Sequence, residues 1–389
     1  MLALENVPKI DYADPWALTF PERFGQLTRK GRRIAYLYER ADNSTFRYRV
    51  YNPVQVLNTL NDDVSASFFF LSDIEQFARI ADAADLLVVC RTRYSLRANA
   101  IVTHFKNRGK KVIFDVDDLV FDTDYAHLVA ATIEFDTRRD SEGWDEWFAY
   151  VSRIGSVARL CDGCITTNAY LAEHLARYTG KPVKVLPNFI NREQLRMSDW
   201  VFEDKSRAGF KGDGRFHIGY FSGSPTHRKD FAIVSGAIEA LMKRYNHVWL
   251  TVAGYMNATH LEPSLRHRVE HLPFTDYVNL QRAIGAVELN VVPLQSNTFT
   301  NCKSELKYFE AGIVGTPTVA TPTFTYTRCI THRGNGFLSK AHEWEEVLES
   351  VIVDAAAYRA VADAGREHAR SNYAWDKLND VVLASVDWA

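Results

Sequence analysis

The chain has 389 residues, a formal net charge of -2 and 47% hydrophobic residues. That length exceeds one ordinary core and implies two domains, and the near-neutral balance leaves no overall field to attract nucleic acid. No apolar run approaches the ~20 residues that span a bilayer, and the cysteines (Cys90, Cys161, Cys164, Cys302, Cys329) are odd in number, which suits a reducing compartment better than a disulfide framework.

The opening MLALENVPKIDYADPW lacks a basic n-region and an apolar h-region and does not read as a signal peptide. The basic segment RFGQLTRKGRR, with Trp16, Phe20 and Phe24, reads either as a solvated loop or as a contact with an anionic membrane face. Strand-length apolar runs then follow in order: RIAYLYE, SFFFL, LLVVC, KVIFD, GCITT and VKVLPN. Helix-like stretches such as IEQFARIADAAD and AYLAEHLARYTG fall between them. Cys161 and Cys164 form a C-x-x-C with no second pair at zinc spacing, and read as buried thiols beside a strand. From Val201 to Gly214 the composition shifts to VFEDKSRAGFKGDG, which predicts a linker or decorated loop. A second series follows: FHIGYFSG, VWLTVAG, VELNVVP and TPTVAT. Continuous apolar strands with helical crossovers indicate parallel sheets covered on both faces. The expected architecture is therefore α/β, two doubly wound domains whose ligand crevices, beyond the carboxyl ends of the strands, share one cleft.

Four acids stand in KVIFDVDDLVFD: Asp115, Asp117, Asp118 and Asp122. A carboxylate among apolar neighbours costs solvation unless something pairs with it. Three readings stand: a divalent-metal site, a cation-free sugar cleft in which Asp117 or Asp118 meets a sugar hydroxyl or orients Arg91 or Arg93, and a helix cap with solvated neighbours.

The densest chemistry lies in NCKSELKYFEAGIVGTPTVA, after the strand-like VELNVVPL. Ser304 is placed to cap a helix that Gly315 and Pro317 end. At 100° per residue Lys303, Lys307 and Glu310 project at roughly 0°, 40° and -20°, one narrow stripe. Lysines beside a helix N-terminus suit a diphosphate, and a carboxylate further in suits a ribose diol. An exposed row of i,i+4 charge pairs has the same spacing. A second strand–turn–helix unit, FHIGYFSGSPTHRKDFAIVSGAIEAL, places Gly223 where backbone can approach a ligand, and Arg228 and Lys229 at a helix entrance. Two such units favour a shared phosphate site.

These segments resemble the retaining glycosyltransferases of family 4, which have the two-domain GT-B fold. CDGCITTNAYLAEHLARYTGKPVKVLPNFINREQL is similar to the family's strand–helix–strand ending in Pro-Asn. YFSGSPTHRKDF is similar to its phosphate loop, LKYFEAGIVGTPTVAT to its Glu-Ala-Gly helix, and SNYAWDKLNDVVLASV to its terminal helix that crosses back. The resemblance implies an N-terminal acceptor-side domain over 1–200, a nucleotide-sugar domain over 201–367 and a crossing helix over 368–389. It implies that Glu310 holds the ribose, that Lys229 with Arg228 meets the diphosphate, and that the stretch around Asn301, Lys303 and Ser304 touches donor phosphate and sugar. Asp117, Lys229 and Glu310 are the catalytic candidates. Arg47, Arg49, Asp118 and His127 are the candidates on the acceptor or sugar side. Two departures stand out: Cys302 replaces the family's second glutamate, and ERADNSTFRYR replaces its Gly-Gly turn.

The expected activity is transfer of a sugar, with retention, from a nucleotide diphosphate to a growing surface glycan or lipid-linked saccharide, without an obligatory metal or other cofactor. A rhamnose-type sugar on dTDP is the leading donor, from the subgroup resemblance. The expected location is cytoplasmic, at most peripheral to the membrane. A nucleotide-sugar epimerase, a non-catalytic sugar-binding module and a metal-dependent transferase are the competing readings.

Overall fold

A computed structural model describes residues 1–2, 4–60, 63–133, 141–223, 228–254 and 261–388. Its strands are β1 (Arg32–Tyr38), β2 (Val64–Phe70), β3 (Leu86–Cys90), β4 (Lys111–Val116), β5 (Gly163–Thr166), β6 (Val183–Val185), β7 (Phe216–Ser222), β8 (Val248–Gly254), β9 (Val269–Leu272), β10 (Leu289–Val292), β11 (Thr318–Ala320) and β12 (Phe337–Leu338). They form two six-stranded sheets, ordered β2-β1-β3-β4-β5-β6 and β12-β11-β10-β7-β8-β9. The ladders are parallel, as in β1 against β2 from Arg32↔Val64 to Tyr38↔Phe70. Helices cover both faces, so strands such as β3 and β10 are buried at every residue and read as unbroken apolar runs. This is the GT-B architecture that the sequence leads one to expect. The two strands missed by sequence reading, β9 and β12, are the edges of the second sheet: β9 is partly exposed and β12 is only two residues long.

Strand order reverses between β1 and β3 in the first sheet and between β7 and β10 in the second. Ligands bind at such reversals, beyond the carboxyl ends of the strands.

The linker or decorated loop expected over 201–214 is corrected to 208–214. Val201 to Arg207 completes the helix Arg192–Arg207, which Asn191 caps by accepting from the Gln194 amide at 2.9 Å. Gln194, Ser198, Val201 and Lys205 are buried along it, a spacing of three to four residues that the surrounding charges obscure. The Lys205 ammonium donates to Val314 O, Gly315 O and Thr316 Oγ1 at 2.9–3.0 Å. A charged side chain thus closes the carbonyl end of the neighbouring helix.

The N-terminal segment lies on the second domain before the chain enters the first. Leu2 N donates to Ala286 O at 2.8 Å, Ile10 N to Asn279 Oδ1 at 3.0 Å, and Asn6 Nδ2 to Asp204 Oδ1 at 2.7 Å. Trp16 is buried against Phe46, Tyr51 and Tyr277. Arg23 is buried in a pair with Asp73 at 2.6 Å. Of the residues considered for a membrane face, these two point inward. At the other end, Lys184 and Arg32 of the first domain donate to Ala384 O and Val386 O, both at 2.8 Å. Among the described residues no helix is long and apolar enough to cross a membrane.

Candidate active site

Downstream of β10, Asn297 caps a short helix, Thr298–Asn301, by accepting from Thr300 N at 3.0 Å. A bend over Cys302–Glu305 precedes the helix Leu306–Gly312. Two sequence expectations change here. The N-cap position belongs to Glu305, not Ser304, and Lys303 lies in the bend, so the Lys303–Lys307–Glu310 stripe is not one helical face. The capped turn at Asn297 uses up the residues that a longer helix would need. The expected ending holds: the helix stops at Gly312, and Gly315 has φ +66, where a side chain would be strained.

The bend leaves polar groups open. Ser304 Oγ is buried with no hydrogen-bond partner among the described residues. Lys307 is partly buried, and its ammonium meets the Tyr220 ring at 5.5 Å but forms no ion pair among the described residues. Burial pushes its pKa down to about 8, against the opposing pull of Asp230 and with help from Lys303. Lys303 Nζ lies over the Phe299 ring at 4.3 Å and 3.7 Å from Asp118 Oδ2, across the cleft. Asn301 Oδ1 is taken by Phe324 N at 2.8 Å, so this side chain shapes the loop.

Glu310 is nearly buried. Its Oε1 accepts from Tyr48 Oη, from Gln194 Nε2 at 2.9 Å and from Arg47 at 3.3 Å. Among the described residues no donor reaches Oε2. One oxygen is clamped by three donors from outside its own domain's sheet; the other remains open. Arg47, expected on the acceptor or sugar side, is thus spent on Glu310. Tyr48 and Gln194 were not singled out in the sequence, because nothing local marks a residue that answers a carboxylate more than a hundred positions away.

The four acids divide. Asp115 and Arg49 form a bidentate pair with both contacts at 2.8 Å, and Arg49 also donates to Leu186 O at 2.6 Å and Asn188 Oδ1 at 3.1 Å. Arg49, expected on the acceptor or sugar side, has no exposed surface and braces Asp115 at the end of β4. Asp117 accepts from Arg91 at 2.9 Å and Thr45 Oγ1 at 2.8 Å. Burial raises its pKa, Arg91 lowers it, and the net direction is down. Asp118 Oδ1 is buried and has no partner among the described residues, so of the two neighbours it is Asp118 that has an oxygen left for a ligand hydroxyl. Asp122, not Asp118, makes the cap, accepting from Asp124 N at 3.0 Å. Among the described residues no three His, Cys, Asp or Glu side chains converge as a bound metal would require.

Gly223 is exposed at the end of β7, with nothing within 4 Å of where a Cβ would stand. The rest of the expected phosphate loop, residues 224–227, lies outside the described residues. Arg228 and Lys229 open the helix Arg228–Arg244 and are exposed. Lys229 Nζ donates across the cleft to Ala131 O at 2.8 Å. Asn297 and Gln295 reach Thr132 at 3.0 and 3.2 Å, and Asn168 Nδ2 reaches Cys302 O at 2.8 Å. His127 is exposed on the helix Ala126–Thr132 and makes no hydrogen bond to the site among the described residues.

Residues 215–354, which carry the whole second sheet, match the family model described as Glycosyl transferases group 1. By this domain the chain is a glycosyltransferase. No curated protein sequence matches it. Solved structures share its fold at low identity. HepE of Anabaena, in complex with UDP and glucose, has a TM-score of 0.61 at 14% identity, covering 90% of this chain and 98% of that one. Sucrose-phosphate synthase of Thermosynechococcus elongatus has 0.58 at 14%, covering 90% and 97%. WaaG, a glycosyltransferase involved in lipopolysaccharide biosynthesis, has 0.55 at 13%, covering 90% and 99%. In the transferase, the open groups gathered after β10 belong to the matched domain, while Asp118, which faces Lys303, stands just after β4.

Proposed function

We propose that this transferase moves a sugar, with retention, from a nucleotide diphosphate to a saccharide or lipid-linked saccharide. The observation that carries the reading is Lys307: a partly buried ammonium without an anionic partner among the described residues, next to Lys303 and the unpartnered Ser304 hydroxyl. Lysines here do for a diphosphate what a cation does elsewhere, stabilising the charge that develops as it leaves. The open Oε2 of Glu310 suits a ribose hydroxyl. On this reading the acceptor hydroxyl attacks the anomeric carbon from the face that the diphosphate leaves. The C–O bond to phosphate breaks, and a phosphate oxygen takes the acceptor proton, so no protein nucleophile is needed. The protein contributes orientation and charge. HepE was solved with UDP, which makes a UDP-sugar the first donor to test beside the dTDP-rhamnose type favoured by the resemblance. A cytoplasmic enzyme working at the membrane surface fits a lipid-linked acceptor.

Isothermal titration with UDP, dTDP and their sugars tests donor binding, and product analysis with a saccharide panel tests transfer and its stereochemistry. An inverted product would remove the retaining mechanism. Transfer is expected to persist in excess EDTA, since each of Asp115, Asp117 and Asp118 faces a protein cation. Loss in chelator with recovery on adding magnesium or manganese would show a metal-dependent enzyme. Lys229→Ala is expected to lower turnover about tenfold, the effect of ~1.4 kcal/mol in the barrier, with an unchanged melting temperature because the side chain is exposed. Turnover close to wild type would place the diphosphate away from the end of β7.

A further inference from the structure

The strand reversal between β1 and β3 opens onto two cavities of its own. One, of about 550 Å³, has Tyr38, Glu39, Arg40 and Arg91 in its wall. It lies at the reversal itself, where a doubly wound sheet receives its ligand. Arg91 pairs with Asp117, and the adjacent Asp118 is 3.7 Å from Lys303 of the proposed phosphate site. The Arg91–Asp117 pair thus stands between this inner chamber and the donor side. The second cavity, of about 530 Å³, is bounded by Glu146, Ala149 and Arg153 of the helix Ser141–Leu160. Arg93 and Tyr150 line both, so the chambers meet along a ridge made of these two side chains.

The ridge is built to hold its shape. Glu39 grips Arg93 at three points: Nε at 2.8 Å, Nη2 at 2.5 Å and the backbone N at 2.9 Å. Arg93 Nη1 has no hydrogen bond among the described residues and is left to face a ligand. Arg91 donates to Tyr150 Oη at 3.3 Å, and the Arg93 guanidinium lies 5.9 Å from the Tyr150 ring centre. Guanidinium and carboxylate groups interleaved with aromatic faces suit the hydroxyl rows and C–H faces of sugars. A lipid tail in the same place would bury those charges unanswered. Each chamber has the size of a small-molecule pocket by itself, and one sugar unit cannot occupy both sides of the ridge.

Resting on the sugar-transfer reading above, we infer that the acceptor is a glycan of at least two sugar units. The reacting unit lies in the Arg91 chamber. The preceding unit lies beyond the Arg93–Tyr150 ridge, against Glu146 and Arg153.

The test uses the full chain, UDP- and dTDP-hexoses as donors, and methyl hexosides with the corresponding di- and trisaccharides that share the terminal unit. The expected result is a rise in kcat/KM of about tenfold or more from one unit to two, the effect of one added charge-assisted contact, and little further rise at three. Ala149→Trp, at an exposed helix position on the outer chamber, should bring the two-unit to one-unit ratio close to one. Thermal shift with UDP and dTDP checks that the variant is folded and binds nucleotide as the wild type does. A wild-type rate independent of acceptor length, or a length preference that Ala149→Trp leaves intact, overturns the two-unit acceptor and leaves sugar transfer standing. Nucleotide-sugar binding without transfer to a saccharide of any length overturns both.

Discussion

Lys307→Ala is expected to weaken binding of UDP or dTDP by about one to two orders of magnitude, because a hydrogen bond to a charged group contributes roughly 1.5–3 kcal/mol. The unliganded protein should not lose stability with it. Its ammonium forms no ion pair among the described residues and is held partly out of water, an arrangement that costs the fold and favours a ligand. The pH dependence follows from the same displacement. Burial lowers the pKa from 10.5 to about 8 in the folded protein. A bound diphosphate favours the ammonium, so binding takes up a proton once the free protein has lost it. Wild-type affinity should therefore be level below pH 8 and fall as pH rises above it, and this fall should be absent in Lys307→Ala. For stability the sign is opposite. Between about pH 8 and 10.5 the unfolded chain holds a proton at Lys307 that the folded chain has released, so this group's contribution to stability rises with pH across that window. Titration calorimetry of both proteins from pH 7 to pH 9.5 measures the first effect. Equal affinity and equal pH profiles in the two would show that the diphosphate binds elsewhere.

Glu310→Gln is expected to lower stability and nucleotide affinity together. The sequence leaves open whether the donors to this carboxylate come from protein or from ligand; the structure shows protein donors on Oε1 and an open Oε2. Neutralising the side chain leaves Arg47 buried without its counter-charge, with Nη1 already unpartnered among the described residues. Removing one partner of a buried pair costs about 3–5 kcal/mol, and the oxygen that glutamine keeps should hold the loss at or below the lower end. Nucleotide affinity should fall by a further one to two orders of magnitude if Oε2 holds the ribose. Tyr48→Phe separates the two roles: it removes a donor to Oε1 alone, so it should lower the melting temperature and leave affinity near wild type. A stability loss in Glu310→Gln with unchanged affinity would make the residue a brace between domains and nothing more. dTDP lacks the 2′-hydroxyl, so a smaller affinity penalty with dTDP than with UDP would place the carboxylate between both ribose hydroxyls.

Much of the fold was legible because parallel strands covered on both faces must be apolar along their whole length. RIAYLYE, LLVVC and VELNVVP announce β1, β3 and β10 without reference to anything distant. β9 and β12 were missed for the converse reason: strands at an edge, partly exposed or two residues long, carry little pattern. The helix Arg192–Arg207 was cut short because its second half is rich in charge, and one of those charges, Lys205, turns inward to meet carbonyls at 314 and 315. Local composition cannot show that a lysine will be buried when its partners are backbone atoms from another segment.

The sequence by itself determined the two doubly wound units, the cluster of candidate groups from Asn301 to Glu310, and the presence of acids after β4. These depend on periodicity and neighbours within a few residues. The tertiary structure alone decided how the charges pair: that Arg49 braces Asp115, that Arg91 occupies Asp117, that Asp118 keeps a free oxygen opposite Lys303, and that three donors hold one side of Glu310. It also decided that Lys303 lies in a bend, outside the helix. Pairing depends on which residues meet when the two sheets face each other across the cleft, and the energy of a buried charge is set by those meetings and not by the residue's own place in the chain.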